Sequence, residues 1–211
     1  MKLYGYFRSS AAFRVRIGLN LKGLAYDQES VHLRKGEQRA PEFLRRNPQG
    51  LVPALEDGPA LLTQSLAILE YLDEIRPQPP FLPKTPVERA RVRALALSIA
   101  CEIHPLNNLR VLTYLEREMK QPKEARDTWY RHWVIEGFKA FEAMLADGPA
   151  GRYCHGEQPT QADICLVPQV FNAQRLDTPL AAFPRLMRAF EACMKLPEFE
   201  RAQPSQQPDR E

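Results

Sequence analysis

The sequence predicts two parts, an α/β N-terminal half and an all-α C-terminal half. Three observations predict this. Over residues 2–75, short β-type runs alternate with amphipathic stretches in the order βαβ, then α, then ββα. The stretch RPQPPFLPKTP at 76–86 carries five prolines in eleven residues, which makes a stiff, extended connector. Beyond it, nearly every apolar pattern has helical period. The expected boundaries are therefore 1–80 for the first domain and 87–211 for the second.

Residues 2–7 (KLYGYF) read as a strand, and 10–22 as a helix stopped by Gly23. Residues 26–33 have β character, so two short strands joined through a helix should pair in parallel. A short helix follows from Pro41 to Arg46, with proline at an early helical position. Residues 52–55 and 60–62 read as strands joined at Asp57-Gly58, a hairpin signal, and Ser65 is placed to cap the next helix. Residues 87–119 predict one long helix or a pair bent at His104-Pro105. The stretch 127–146 puts Trp129, Trp133, Val134, Phe138, Phe141 and Leu145 on one face. Thr160 and Asp163 make a capping box before an apolar run, which gives Asp163 a structural role. A last helix is expected from about Pro184 to Leu196, and the polar tail QPSQQPDRE is expected to fray.

The chain has 211 residues, 44% of them hydrophobic, enough for two small cores. A net charge of +3 is too small a surplus to indicate nucleic acid or a membrane surface as partner. No apolar run approaches the ~20 residues of a membrane span, and no signal peptide is visible, so a cytoplasmic protein is expected. Cys101, Cys154, Cys165 and Cys193 form no C-x-x-C pair and no metal-ligand cluster with histidine. They read as reduced, structural thiols in a reducing compartment, with no metal site.

Several segments are similar, in the same order, to those of one family. FRSSAAFRVRIGL at 7–19 resembles the signature of zeta-class glutathione transferases. NPQGLVPAL at 47–55 and QSLAILEYL at 64–72 resemble that family's glutathione-contacting segments. IHPLNNLRVL at 103–112 and QADICLVPQVFNAQR at 161–175 resemble its substrate-side segments. The resemblance spans roughly the whole chain. It implies the glutathione transferase fold, a thioredoxin-like N-terminal domain plus an all-α domain, and a homodimer. One departure stands out: Ala11 occupies the place where many zeta members carry cysteine after two serines. A reactive sulfur must then come from glutathione.

Ser9 and Ser10 lie where a strand gives way to a helix. A thiol held there feels the positive end of the helix dipole and accepts an O–H bond, both of which favour thiolate. Simple helix capping is the competing reading. The resemblance favours catalysis, with Ser9 facing the sulfur and Ser10 supporting it. It also implies a cis peptide before Pro53, against the commoner trans form, with the Val52 backbone pairing to the cysteinyl part of glutathione. Gln64 and Ser65 would hold the γ-glutamyl end at a helix start, and Gln38 the glycyl end. His104, Asn108 and Arg110 would face glutathione and the substrate pocket. Arg8, Arg110 and Arg175 are the expected clamps for a small dicarboxylate, since arginine binds carboxylate bidentately.

The implied activity is glutathione-dependent cis–trans isomerisation of a small maleyl keto-acid, maleylacetoacetate or maleylpyruvate, in aromatic degradation. Arg110 resembles the maleylpyruvate type more closely. A general glutathione transferase or dehalogenase, and a non-catalytic interaction module of the same fold, are the alternatives.

Overall fold

The computed structural model describes residues 1–211. The chain forms two compact units. The first comprises Met1–Phe81 together with Met194–Glu211, and the second Leu82–Cys193.

The first unit is built on a four-stranded mixed sheet, from β1 (Lys2–Gly5), β2 (Asp27–Ser30), β3 (Ala54–Asp57) and β4 (Ala60–Thr63), in the order β2-β1-β3-β4. β1 pairs β2 in parallel, and the β1–β3 and β3–β4 pairs are antiparallel. The register seats Lys2 between Asp27 and Glu56, opposite charges on both sides. β2 is shorter than the expected 26–33, because the His32 side chain accepts from the Lys35 N–H (3.2 Å) and turns the backbone into a 3₁₀ segment. Three helices complete the half: α1 (Ser10–Leu21), α2 (Pro41–Arg46) and α3 (Ser65–Ile75). Leu3, Phe13, Val15, Ile17, Leu55, Ile68, Leu69 and Leu72 are buried in the core. α1 and α3 meet at Gly18, where a Cβ would lie 2.4 Å from Leu69 Cδ2. Lys22 locks the connector: its Nζ donates to Asp73 Oδ1 and Pro79 O, both at 2.6 Å, and lies 4.0 Å from the Phe81 ring centroid.

In the second unit, α4 (Pro86–Leu97) starts with a Thr85–Glu88 capping box. The expected bend at Pro105 is resolved differently. A π-helical segment, Ser98–Ile103, precedes α5 (His104–Asn107), and the chain breaks at Asn108. There the backbone is extended (ψ 165°), and Asn108 Oδ1 caps α6 (Leu109–Arg117) at Val111 N, 3.1 Å. A proline lacks the N–H that would continue the ladder, and the wider π turn accommodates that loss. α7 (Lys123–Ala146) buries Val134, Phe138, Phe141 and Leu145 as expected, while Trp129 donates to Leu106 O at 2.7 Å. α8 (Gln161–Arg175) carries the capping box. Asp163 accepts from Thr160 N (2.8 Å), Thr160 Oγ1 (2.9 Å) and Cys154 N (2.8 Å). Burial pushes the Asp163 carboxyl up, and these hydrogen bonds oppose the shift. Burial and the neighbouring Asp163 charge push the Cys154 and Cys193 thiols well up, which makes them unreactive.

The expected terminal helix, 184–196, is two helices. α9 (Pro184–Met194) ends before Pro197, which starts α10 (Pro197–Ala202). Segment Met194–Glu211 joins the first unit, not the helical half to which it was assigned. Nor does the tail fray. Gln207 is buried and donates to Arg201 O (2.9 Å) and Gln203 O (2.8 Å), and Asp209 accepts from Phe7 N at 3.0 Å. No helix is long and apolar enough to cross a membrane.

Gly18→Val forces a side chain into Leu69, so the variant should lose about 1–3 kcal/mol of stability. An unshifted urea midpoint would show that Leu69 retreats freely. Of the four free thiols only Cys101 is exposed, so iodoacetamide on the native protein should label Cys101 and spare the others, as read by peptide mass.

Candidate active site

The first cluster forms where β1 passes into α1. Ser9 N donates to Tyr6 O (2.9 Å), closing a turn over residues 6–9. Ser9 caps α1: its Oγ accepts from Ala12 N at 3.2 Å. A cap uses an oxygen lone pair and leaves the hydroxyl hydrogen available. Capping and donation to a thiolate are therefore compatible in one side chain. The first turn of α1 holds no acidic residue to neutralise its positive end. Ser10 is the first residue of the helix and is buried. Arg8 folds back on the turn, 4.9 Å from the Phe7 ring centroid and 3.3 Å from Tyr6 Oη, with Glu211 Oε2 at 3.9 Å.

The second cluster forms where β4 passes into α3. Gln64, not Ser65, is the N-cap, and it makes no side-chain capping bond. Its φ of 67° is rare for a residue with a Cβ and carries about 1–3 kcal/mol of strain. Gln64 Nε2 donates to Gln49 Oε1 at 2.7 Å. Gln49 is set by a turn that Asn47 organises: Asn47 Oδ1 accepts from Gln49 N (3.1 Å), and Asn47 Nδ2 donates to Leu51 O (2.7 Å). Gly50 closes that turn at φ 61°, where a Cβ would sit 3.1 Å from Gln38 O. Ser65 opens α3, and its Oγ accepts from Arg14 Nη1 at 3.3 Å instead of capping. The first turn of α3 is also free of acids. The buried Arg14 guanidinium adds positive charge beneath it.

Between the two lies the Val52-Pro53 peptide, which is cis as expected. No hydrogen bond within the chain engages the backbone N–H or C=O of Val52. Gln38 Oε1 is buried with no partner in the chain. An unpaired backbone edge, an orphaned amide oxygen and two acid-free helix starts fit a peptide ligand that carries carboxylates and a thiol. Arg8, Ser9, Ser10, Gln38, Val52, Gln64 and Ser65 all belong to the first unit.

His104, Asn108, Arg110 and Arg175 belong to the second unit. His104 opens α5, half-buried. Asn108 is engaged in structure, since its amide also donates to Pro105 O at 3.2 Å. Arg110 is exposed and forms no ion pair. Arg175 ends α8, also exposed, and its charge acts on Tyr130. Burial raises the Tyr130 phenol to about 12, and Arg175 opposes that shift. Sequence reasoning missed Arg14, Asn47 and Gln49. Gln49 sits inside the NPQG turn signal, but the partner of its side chain is visible only in three dimensions.

The Glutathione S-transferase, N-terminal domain, family model matches residues 1–74, and the Glutathione S-transferase, C-terminal domain, matches 125–192. A probable maleylacetoacetate isomerase of Vibrio cholerae is 49% identical, over 98% of this chain and 97% of its own. A solved holo maleylpyruvate isomerase, described as a bacterial glutathione S-transferase of the zeta class, is 46% identical over 100% of both chains, with TM-score 0.98. A solved maleylacetoacetate isomerase of Methylobacterium extorquens AM1 with bound malonate and GSH is 44% identical over 100% of both chains, with TM-score 0.97. The chain belongs to the glutathione S-transferase family, and within it to the zeta class.

Ser65→Ala should weaken glutathione binding by about 1.5–3 kcal/mol, the worth of a hydrogen bond to a charged group. Unchanged affinity by calorimetry would remove Ser65 from the site.

Proposed function

We propose that this chain is a glutathione-dependent cis–trans isomerase of a small maleyl keto-acid. The observation that carries the reading is the Ser9 hydroxyl, which caps an acid-free helix through its oxygen and keeps its hydrogen for an anion. The similarity to maleylacetoacetate and maleylpyruvate isomerases along the whole chain supports the choice of reaction. When bound, glutathione supplies the nucleophilic sulfur that adds reversibly to the cis double bond, frees rotation about it and is recovered unconsumed.

In this reading Ser9, with Ser10 behind it, and the start of α1 hold the thiol in its ionised form. The Val52 backbone pairs with the cysteinyl residue. Gln64, Ser65 and the start of α3 hold the γ-glutamyl carboxylate, and Gln38 the glycyl end. Arg8 and Arg175 hold the carboxylates of the substrate, which places the double bond for attack. His104, Asn108 and Arg110 complete the substrate side. Arg110, exposed and free of ion pairs, takes the second carboxylate of the shorter acid, so maleylpyruvate is turned over at least as well as maleylacetoacetate. A homodimer and a cytoplasmic setting belong to the same proposal. Exposed Leu61, Leu97 and Val87 offer apolar area to a second copy.

The test is an assay of both acids with glutathione. Conversion to the trans isomer with no loss of free thiol is expected. Stoichiometric consumption of glutathione would instead indicate a transferase or dehalogenase, and no turnover an interaction module. Ser9→Ala should lower kcat and raise the apparent thiol pKa of bound glutathione, followed by thiolate absorbance, while the lost cap costs about 0.5–2 kcal/mol of stability. Arg110→Leu should lower kcat/KM for maleylpyruvate more than for maleylacetoacetate. An unchanged ratio of the two would remove Arg110 as the discriminating residue.

A further inference from the structure

The turn that carries Arg8 and Ser9 is held from outside by the C-terminal tail. Its hydrogen bond, Ser9 N to Tyr6 O, leaves both polar groups of Phe7 without a partner in the turn. Each is met by a specific group. Asp209 Oδ2 accepts from Phe7 N at 3.0 Å, and Arg16 Nη2 donates to Phe7 O at 2.9 Å. Asp209 is itself fixed on β2: Oδ1 accepts from Gln28 Nε2 (2.9 Å), and Oδ2 also accepts from Ser30 Oγ (3.0 Å). Arg16 is anchored through Nε to Ala202 O at 2.9 Å. Glu211, two residues beyond Asp209, contacts His32 and lies 3.9 Å from Arg8. One residue, next to the two assigned to ligand binding, is thus gripped through both of its backbone polar groups, and one grip is a tail carboxylate.

We propose that Asp209 is a positioning residue for the isomerisation: by holding the Phe7 N–H it aims the Arg8–Ser9 segment at the thiol and the substrate carboxylate. This rests on the reading of Ser9 and Arg8 given above. The geometry separates position from charge. Asn in place of Asp keeps the acceptor at the same reach and removes the charge, whereas Glu keeps the charge and extends the reach by one methylene.

The experiment compares Asp209→Asn, Asp209→Glu and Ser9→Ala in the full chain, each checked for folding by its thermal midpoint. Asp209→Asn should stay within about threefold of wild type in kcat. Asp209→Glu should lose about tenfold, equivalent to about 1.4 kcal/mol on the barrier, and the thiol of bound glutathione should titrate at higher pH, as in Ser9→Ala. A wild-type kcat and thiol titration in Asp209→Glu, beside an impaired Ser9→Ala, overturns the positioning role alone. Equal losses in Asp209→Asn and Asp209→Glu overturn it too, because a variant that keeps the acceptor at the same reach should keep the activity. Full activity in Ser9→Ala overturns the reading of Ser9, and this proposal with it.

Discussion

The buried guanidinium of Arg16 ties the first unit together. It has 0% exposure and bonds two backbone carbonyls, those of Phe7 and Ala202, that are remote from each other in sequence. Burial lowers its pKa to about 10, with Tyr26 and Asp209 opposing the shift, and it stays charged at neutral pH. A charge removed from water must be met by several oriented acceptors. That demand brings α10 against α1, while Asp209 ties the tail to β2. The start of α1 therefore has its approach defined from both sides. Arg14, two residues earlier and also buried, does the same for the start of α3 through Ser65.

The element order, the helical second half and the connector were legible in the sequence because each rests on local signals: period, proline density and the Asp57-Gly58 turn. The Thr160–Asp163 box was legible for the same reason. The tail was not. QPSQQPDRE has the composition of a fraying end, and nothing in its own pattern reveals that Phe7 and Arg16 lack partners. Arg14 and Arg16 were not legible either. Nothing in FRVRIGL marks these arginines as interior, yet both are buried. Ser65 shows the limit at finer scale. A serine before an apolar run signals a cap, but the strained Gln64 takes that position and releases the Ser65 hydroxyl to Arg14.

The second unit shows how a proline is absorbed without ending a helix outright. The π segment before Pro105 widens the backbone, and Asn108 restarts it one turn later. Close packing fixes where this happens: a Cβ on Gly137 would come within 2.3 Å of Ile103 Cγ1, so α7 lies directly against the π turn. His104, Asn108 and Arg110 are spaced by that irregularity and not by an ideal helical repeat.

The first unit is discontinuous, and this sets an order of events during synthesis. Phe7 leaves the ribosome before its partner, and Asp209 follows 202 residues later. At about 5–20 residues per second that is a delay of roughly 10–40 s. Throughout it the sheet and α1 can form while the Arg8–Ser9 segment lacks its outer grip. The corner that carries Ser9 is thus the last part of the first unit to be completed, although it lies far ahead of Asp209 in the chain.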